Sequence, residues 1–254
     1  MKEASAQRSQ VRRTALVTGG ARRLGRHIAL ALADAGYDVV ITYNTSRGDA
    51  QRTVAELKER KSHSIAIGAN VSNSADVRRV ITRVKNTYSR LDVFIGNAGV
   101  FPPATPMESL SESVFDSVLA TNLKGNFLFG QAASALMQLN KTKGVIVLMA
   151  SLGGLQIWKD EIAYNVSKAG LITLTRAMAR ALAPYNITVN AIAPGHIEMP
   201  DEPGAVPLFG AERVPMQRFG TPDDICRAVM FFVQTATYIT GEVLAVDGGR
   251  HLLG

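Results

Sequence analysis

Short runs of β-branched and apolar residues alternate with longer amphipathic stretches along almost the whole chain. Strand-like runs occupy 14–18, 38–43, 64–68, 91–95, 144–150, 187–192 and 242–246. Helical periodicity occupies 24–35, 49–60, 75–88, 115–140, 163–183 and 222–234. The strands are apolar throughout rather than alternating, as expected when helices cover both faces of a parallel sheet. The pattern predicts one α/β domain over 14–254, a Rossmann-type doubly wound parallel sheet flanked by helices. The rhythm breaks at 196–220, which holds four prolines and three glycines and follows a strand end. A connection of that length in a compact domain is expected to be a substrate lid.

Composition narrows the class. Hydrophobic residues make up 46% of 254, enough for a large core. No run approaches the roughly 18 apolar residues of a membrane span, so no membrane partner is expected. Residues 1–13 are polar and basic, and are expected to be a disordered tail. The net charge of +7 invites a nucleic-acid reading. Lys2, Arg8, Arg12 and Arg13 concentrate much of the excess in the tail, and the rest is dispersed, so no nucleic-acid partner is expected. The one cysteine, Cys226, forms no internal disulfide, and with four scattered histidines builds no metal site. A reducing, cytoplasmic setting fits, with Cys226 a small core residue on a helix.

The first strand runs into Thr18-Gly19-Gly20-Ala21-Arg22-Arg23-Leu24-Gly25 and then a helix. Glycine lets the backbone approach a pyrophosphate, and a helix N-terminus offers free N–H groups. The second strand ends Tyr43-Asn44-Thr45-Ser46-Arg47 without the acid that would bind the ribose hydroxyls of NAD. Arg22 and Arg47, with Asn44 and Ser46, suit a 2′-phosphate instead, which predicts NADPH/NADP+ as cofactor. Downstream, Tyr164 and Lys168 lie four apart at the start of a predicted helix and share a face. A phenol is a poor acid at neutral pH unless a cation favours its phenolate, so Lys168 is expected to lower the Tyr164 pKa. Ser151 ends the preceding strand, where its hydroxyl can hydrogen-bond a substrate oxygen.

Together these motifs resemble the short-chain dehydrogenase/reductase family, over roughly 14–249. The first turn is similar to its T-G-x-x-x-G-x-G, with Arg23 where the middle glycine usually lies. The resemblance implies that Tyr164 is the acid/base, Lys168 binds the nicotinamide ribose, and Ser151 orients the carbonyl. It implies that Asn122 holds a relay water. It further implies cofactor contacts from Gly19, Arg23, Leu24, Gly25, Tyr43, Asn70, Val71, Asn97, Ala98, Gly99, Pro194, Gly195 and Ile197. Met199 stands where a threonine is common.

Two substrates compete, and the balance leans to the first. The intact Ser151, Tyr164 and Lys168 suit a ketone, as in 3-oxoacyl-acyl-carrier-protein reductases. Arg23 and the terminal Asp247-Gly248-Gly249-Arg250-His251-Leu252 resemble pteridine and dihydromonapterin reductases. A nicotinamide-binding sensor without chemistry fits less well, because tyrosine and lysine are both present. Phe101, Met107, Leu152, Ile157 and Trp158 are candidate pocket residues, and Lys159, Asp160 and Glu161 a solvated loop. The resemblance also implies a homotetramer, or a homodimer, built through helices 123–139 and 163–183.

Overall fold

In the computed structural model, residues 12–199 and 209–253 are described. Seven strands form one parallel sheet: β1 (Thr14–Val17), β2 (Asp38–Tyr43), β3 (Ile65–Gly68), β4 (Val93–Gly96), β5 (Val145–Met149), β6 (Thr188–Pro194) and β7 (Val243–Val246). Their spatial order is β3-β2-β1-β4-β5-β6-β7. The chain moves outward from β1 on one side, then returns to β4 on the other. That reversal opens a crevice beyond the carboxyl ends of β1 and β4, where open α/β sheets bind ligands.

Among the described residues, seven α-helices surround the sheet: α1 (Arg23–Asp34), α2 (Arg47–Glu59), α3 (Ser74–Tyr88), α4 (Glu112–Leu119), α5 (Gly125–Leu139), α6 (Ile162–Leu182) and α7 (Pro222–Gln234). Successive strand residues point to opposite faces, so each strand feeds two cores. Ala15, Val17, Val39, Ile41, Val93 and Ile95 pack with Ile28, Leu32, Leu57 and Val229 of α1, α2 and α7. Leu16, Val40, Phe94, Ile146 and Leu148 pack with Val80, Phe129, Met137 and Leu171 of α3, α5 and α6. This is why the strands carry no polar alternation. Cys226 is a buried core residue of α7, and burial pushes its thiol up to about 12.

Three expectations change. The helix expected over 115–140 begins at Glu112 and contains a π-turn, Ala120–Lys124, between α4 and α5. Arg12 and Arg13 belong to the domain rather than to a tail. Arg12 donates to the Gly36 carbonyl at 3.2 Å, and the Arg13 guanidinium lies 4.6 Å from the centre of the Tyr37 ring. The expected lid is only partly visible, since 200–208 lie outside the described residues. Its flanks are pinned together: Glu198 N–H donates to the Gly220 carbonyl at 2.9 Å, and Gly220 N–H to that of His196 at 3.0 Å. Among the described residues, no helix is long and apolar enough to cross a membrane.

Candidate active site

A cleft of about 860 Å³ runs along the carboxyl edge of the sheet, from the turn after β2 to the start of α6. One end is built on the turn between β1 and α1. Gly19 has φ +64°, a conformation that glycine adopts without strain. A side chain on Gly25 would collide with the Gly19 carbonyl oxygen, so α1 begins against the turn itself. The Thr18 hydroxyl accepts from the N–H groups of Asn97 and Ala98, both at 3.1 Å. The Asn97 carboxamide donates to the carbonyls of Thr18 at 2.9 Å and Gly19 at 3.2 Å. The turns after β1 and β4 are therefore sewn into one wall. Arg23, at the first position of α1, has φ +51°. That left-handed conformation costs a non-glycine residue about 1–2 kcal/mol. Arg22, Arg23, Asn44, Thr45 and Ser46 line this end, and no carboxylate is among the described lining residues.

The other end gathers Ser151, Tyr164 and Lys168. Ser151 caps the short turn after β5, its hydroxyl accepting from Gly153 N–H at 3.1 Å. Tyr164 lies in the first turn of α6, and its phenol is hydrogen-bonded to Ser151. Burial pushes this phenol up, the Ser151 hydrogen bond acts against that, and Glu161 adds to the rise. Lys168 is one helical turn on, and its ammonium donates to the Met149 carbonyl at 2.7 Å. The ammonium sits 5.7 Å from the Tyr164 ring centre, and burial lowers its pKa to about 8. The expectation that Lys168 lowers the phenol is thus not met in this geometry. The ammonium is turned to a carbonyl, and burial has the largest effect on the phenol.

Asn122 lies in the π-turn and is fully buried. Its carboxamide donates to the Val100 carbonyl at 2.9 Å and the Ser167 hydroxyl at 3.1 Å, and accepts from Val100 N–H at 2.8 Å. It ties the segment after β4 to α6.

Residues 19–251 match the family model described as Enoyl-(Acyl carrier protein) reductase. The chain belongs to the short-chain dehydrogenase/reductase family. A 3-oxoacyl-[acyl-carrier-protein] reductase of Staphylococcus epidermidis is 37% identical over 247 residues, covering 94% of this chain and 99% of that one. The (2S)-[(R)-hydroxy(phenyl)methyl]succinyl-CoA dehydrogenase subunit BbsD of Thauera aromatica is 36% identical, covering 94% and 97%. Among solved structures, levodione reductase superposes with a TM-score of 0.88 at 30% identity, covering 95% of this chain and 98% of that one. Acetoin dehydrogenase from Enterobacter cloacae gives 0.87 at 29%, covering 96% and 98%.

In this short-chain dehydrogenase/reductase, fifteen of the expected cofactor residues line the cleft: Gly19, Arg22, Arg23, Leu24, Tyr43, Asn44, Ser46, Asn70, Val71, Asn97, Ala98, Gly99, Pro194, Gly195 and Ile197. Gly25 does not line it, serving the packing beneath. Arg47 is exposed at the start of α2 and does not line it either. Phe101 and Trp158 line the substrate end. Leu152 is buried in the core, while Met107 and Ile157 face outward. Glu161 corrects the solvated-loop expectation, being only 3% exposed, with desolvation raising its carboxyl pKa. Sequence reasoning missed Phe209, Met149 and Thr42 as parts of the wall. Nothing in their local sequence distinguishes them from core or loop residues.

Proposed function

We propose that this protein is an NADPH-dependent reductase of ketone or 3-oxoacyl carbonyl groups, with Tyr164 as proton donor. The observation that carries the reading is the position of Ser151, Tyr164 and Lys168 at one end of a cleft whose other end holds Arg22 and Arg23 and no carboxylate. The cleft fits a phosphorylated dinucleotide. Arg22, Asn44 and Ser46 would hold the 2′-phosphate, Arg23 and the Gly19 turn the pyrophosphate, Asn70 and Val71 the adenine. Pro194, Gly195 and Ile197 would border the nicotinamide.

When bound, the reduced nicotinamide supplies the hydride, and its oxidised form adds a positive charge near the phenol. Ser151 orients the carbonyl oxygen and donates to it as negative charge develops. Tyr164 protonates that oxygen. Lys168, one helical turn from Tyr164, stabilises the resulting phenolate and would hold the nicotinamide ribose. Asn122 acts by fixing Val100, and with it the Asn97-Ala98-Gly99 turn. The similarity to 3-oxoacyl-[acyl-carrier-protein] reductases supports the substrate class.

The reading includes a homotetramer in the cytoplasm, assembled through α5 and α6, where Phe127 and Val166 are exposed. Light scattering on the eluted peak tests the assembly. A second reading, reduction of a dihydropterin, is favoured by Arg23 in the cleft wall. The deciding experiment follows NADPH and NADH oxidation with a short 3-oxoacyl thioester, a diketone and dihydrobiopterin. Carbonyl turnover with NADPH that falls about 100-fold or more in Tyr164→Phe is expected. Turnover of the pterin alone overturns the carbonyl reading.

A further inference from the structure

The substrate end of the cleft has an aromatic corner. The Trp158 ring lies nearly parallel to Tyr164, at 14° and 6.2 Å between centres. The Phe101 ring stands perpendicular to Tyr164, at 90° and 4.6 Å, and at 79° and 6.4 Å to Trp158. Phe101 is 50% exposed, so half of a large apolar ring faces solvent beside the proton donor. Phe209 also lines the cleft, edge-on to Phe219 at 60° and 6.1 Å between centres.

Charge gives a second, independent observation. The lysine and arginine side chains among the described lining residues are Arg22, Arg23 and Lys168. The first two belong to the turn after β1, and Lys168 donates to the Met149 carbonyl. His196 is held toward its neutral form by burial. Arg250 sits over Phe209, but its guanidinium donates to the Leu253 carbonyl at 2.7 Å. The described wall at the substrate end thus presents no carboxylate, and Lys168 and Arg250 each donate to a backbone carbonyl.

We infer that the carbonyl substrate is a ketone bearing a planar ring, held with that ring against Trp158 and Phe101. This rests on the reductase reading above and narrows it. A carbonyl oxygen within reach of the Tyr164 phenol brings its substituents beside the two rings that touch Tyr164. Offset and edge-to-face ring contacts favour an aromatic substituent beyond its mere apolar area.

The test compares three 3-oxo compounds with NADPH: ethyl benzoylacetate, ethyl acetoacetate and acetoacetyl-CoA. The first two differ by a phenyl ring in place of a methyl group. The aryl ester is expected to exceed the methyl ester in kcat/KM by roughly tenfold. That ratio should fall towards one in Trp158→Leu and in Phe101→Leu, whatever happens to the absolute rates. A structural role, in which the two rings only brace Tyr164, would lower both rates and leave the ratio intact. NADPH fluorescence titration on each variant reports whether the cofactor end is preserved. A ratio near one in the unaltered protein, a ratio that survives both substitutions, or preference for the CoA thioester overturns the inference and leaves the reductase reading standing. No turnover of any compound by NADPH-bound protein sinks the reductase reading itself, and the inference with it.

Discussion

Lys168 is a buried charge held by a neutral backbone carbonyl, and its replacement by methionine should make the protein more stable. The fully buried ammonium has a pKa of about 8 against an ordinary 10.5. At 1.36 kcal/mol per unit, that gap corresponds to roughly 3 kcal/mol of destabilisation whenever the lysine is charged in both states. The sign follows from proton counting. Between those two values the unfolded chain binds the proton and the folded chain does not, so stability rises with pH there. Below about pH 8 the full cost is present. Methionine removes the charge at similar volume, but leaves the Met149 carbonyl without its donor, a loss of about 1 kcal/mol. Lys168→Met should therefore gain about 2 kcal/mol near pH 7 and lose that advantage as pH approaches 10.5. Urea unfolding of both proteins, without nucleotide and at equal protein concentration, measures it at each pH. A variant less stable at pH 7, or a difference flat with pH, refutes the reasoning. Carbonyl reduction by the variant should collapse in either case.

Other substitutions probe the rest of the cleft. Arg23→Gly relieves a left-handed residue, so the melting temperature should rise by a degree or two while NADPH binds more weakly; calorimetry and fluorescence titration read the two separately, and a fall in both would assign Arg23 a packing role. Asn44→Asp places a carboxylate beside the expected 2′-phosphate, and should cut the NADPH-over-NADH preference roughly tenfold; an unchanged ratio of kcat/KM values would remove Asn44 from cofactor choice. Glu161→Gln removes a group that raises the Tyr164 pKa. The pH profile for alcohol oxidation, which needs the phenolate, should shift to lower pH, and an unmoved profile would show that Glu161 is neutral throughout.

Much of this was legible because the sheet is covered on both sides. Strands such as Ala15-Leu16-Val17 and Phe94-Ile95 feed two cores, and their unbroken apolar character announced the architecture. The cleft was legible because glycine at position 19 and the four-residue spacing of Tyr164 and Lys168 have few other uses together. What escaped depends on contacts distant in sequence. Lys159-Asp160-Glu161 has the composition of a solvated loop, yet Glu161 immediately precedes α6 and is carried inward with it. Arg12 and Arg13 look like a basic tail, and only the nearby Gly36 carbonyl and Tyr37 ring draw them onto the domain. Arg47 follows the right strand, but the first turn of α2 places it outside the cleft wall.

The π-turn at Ala120–Lys124 has a consequence for how this chain can vary in length. A π-turn accommodates one residue more than an α-helix needs, and each residue turns a helix by about 100°. Deleting a single residue there would let α4 and α5 fuse into one regular helix, with every backbone bond satisfied. Yet one half would rotate against the other. Val118 would rotate out of its buried position, or Asn122 would swing away from Val100 and Ser167. The deletion that most improves the helix is thus the one the active site tolerates least. Variants shortened by one residue within 120–124 should gain regularity and lose turnover together, whereas shortening an exposed loop should cost neither.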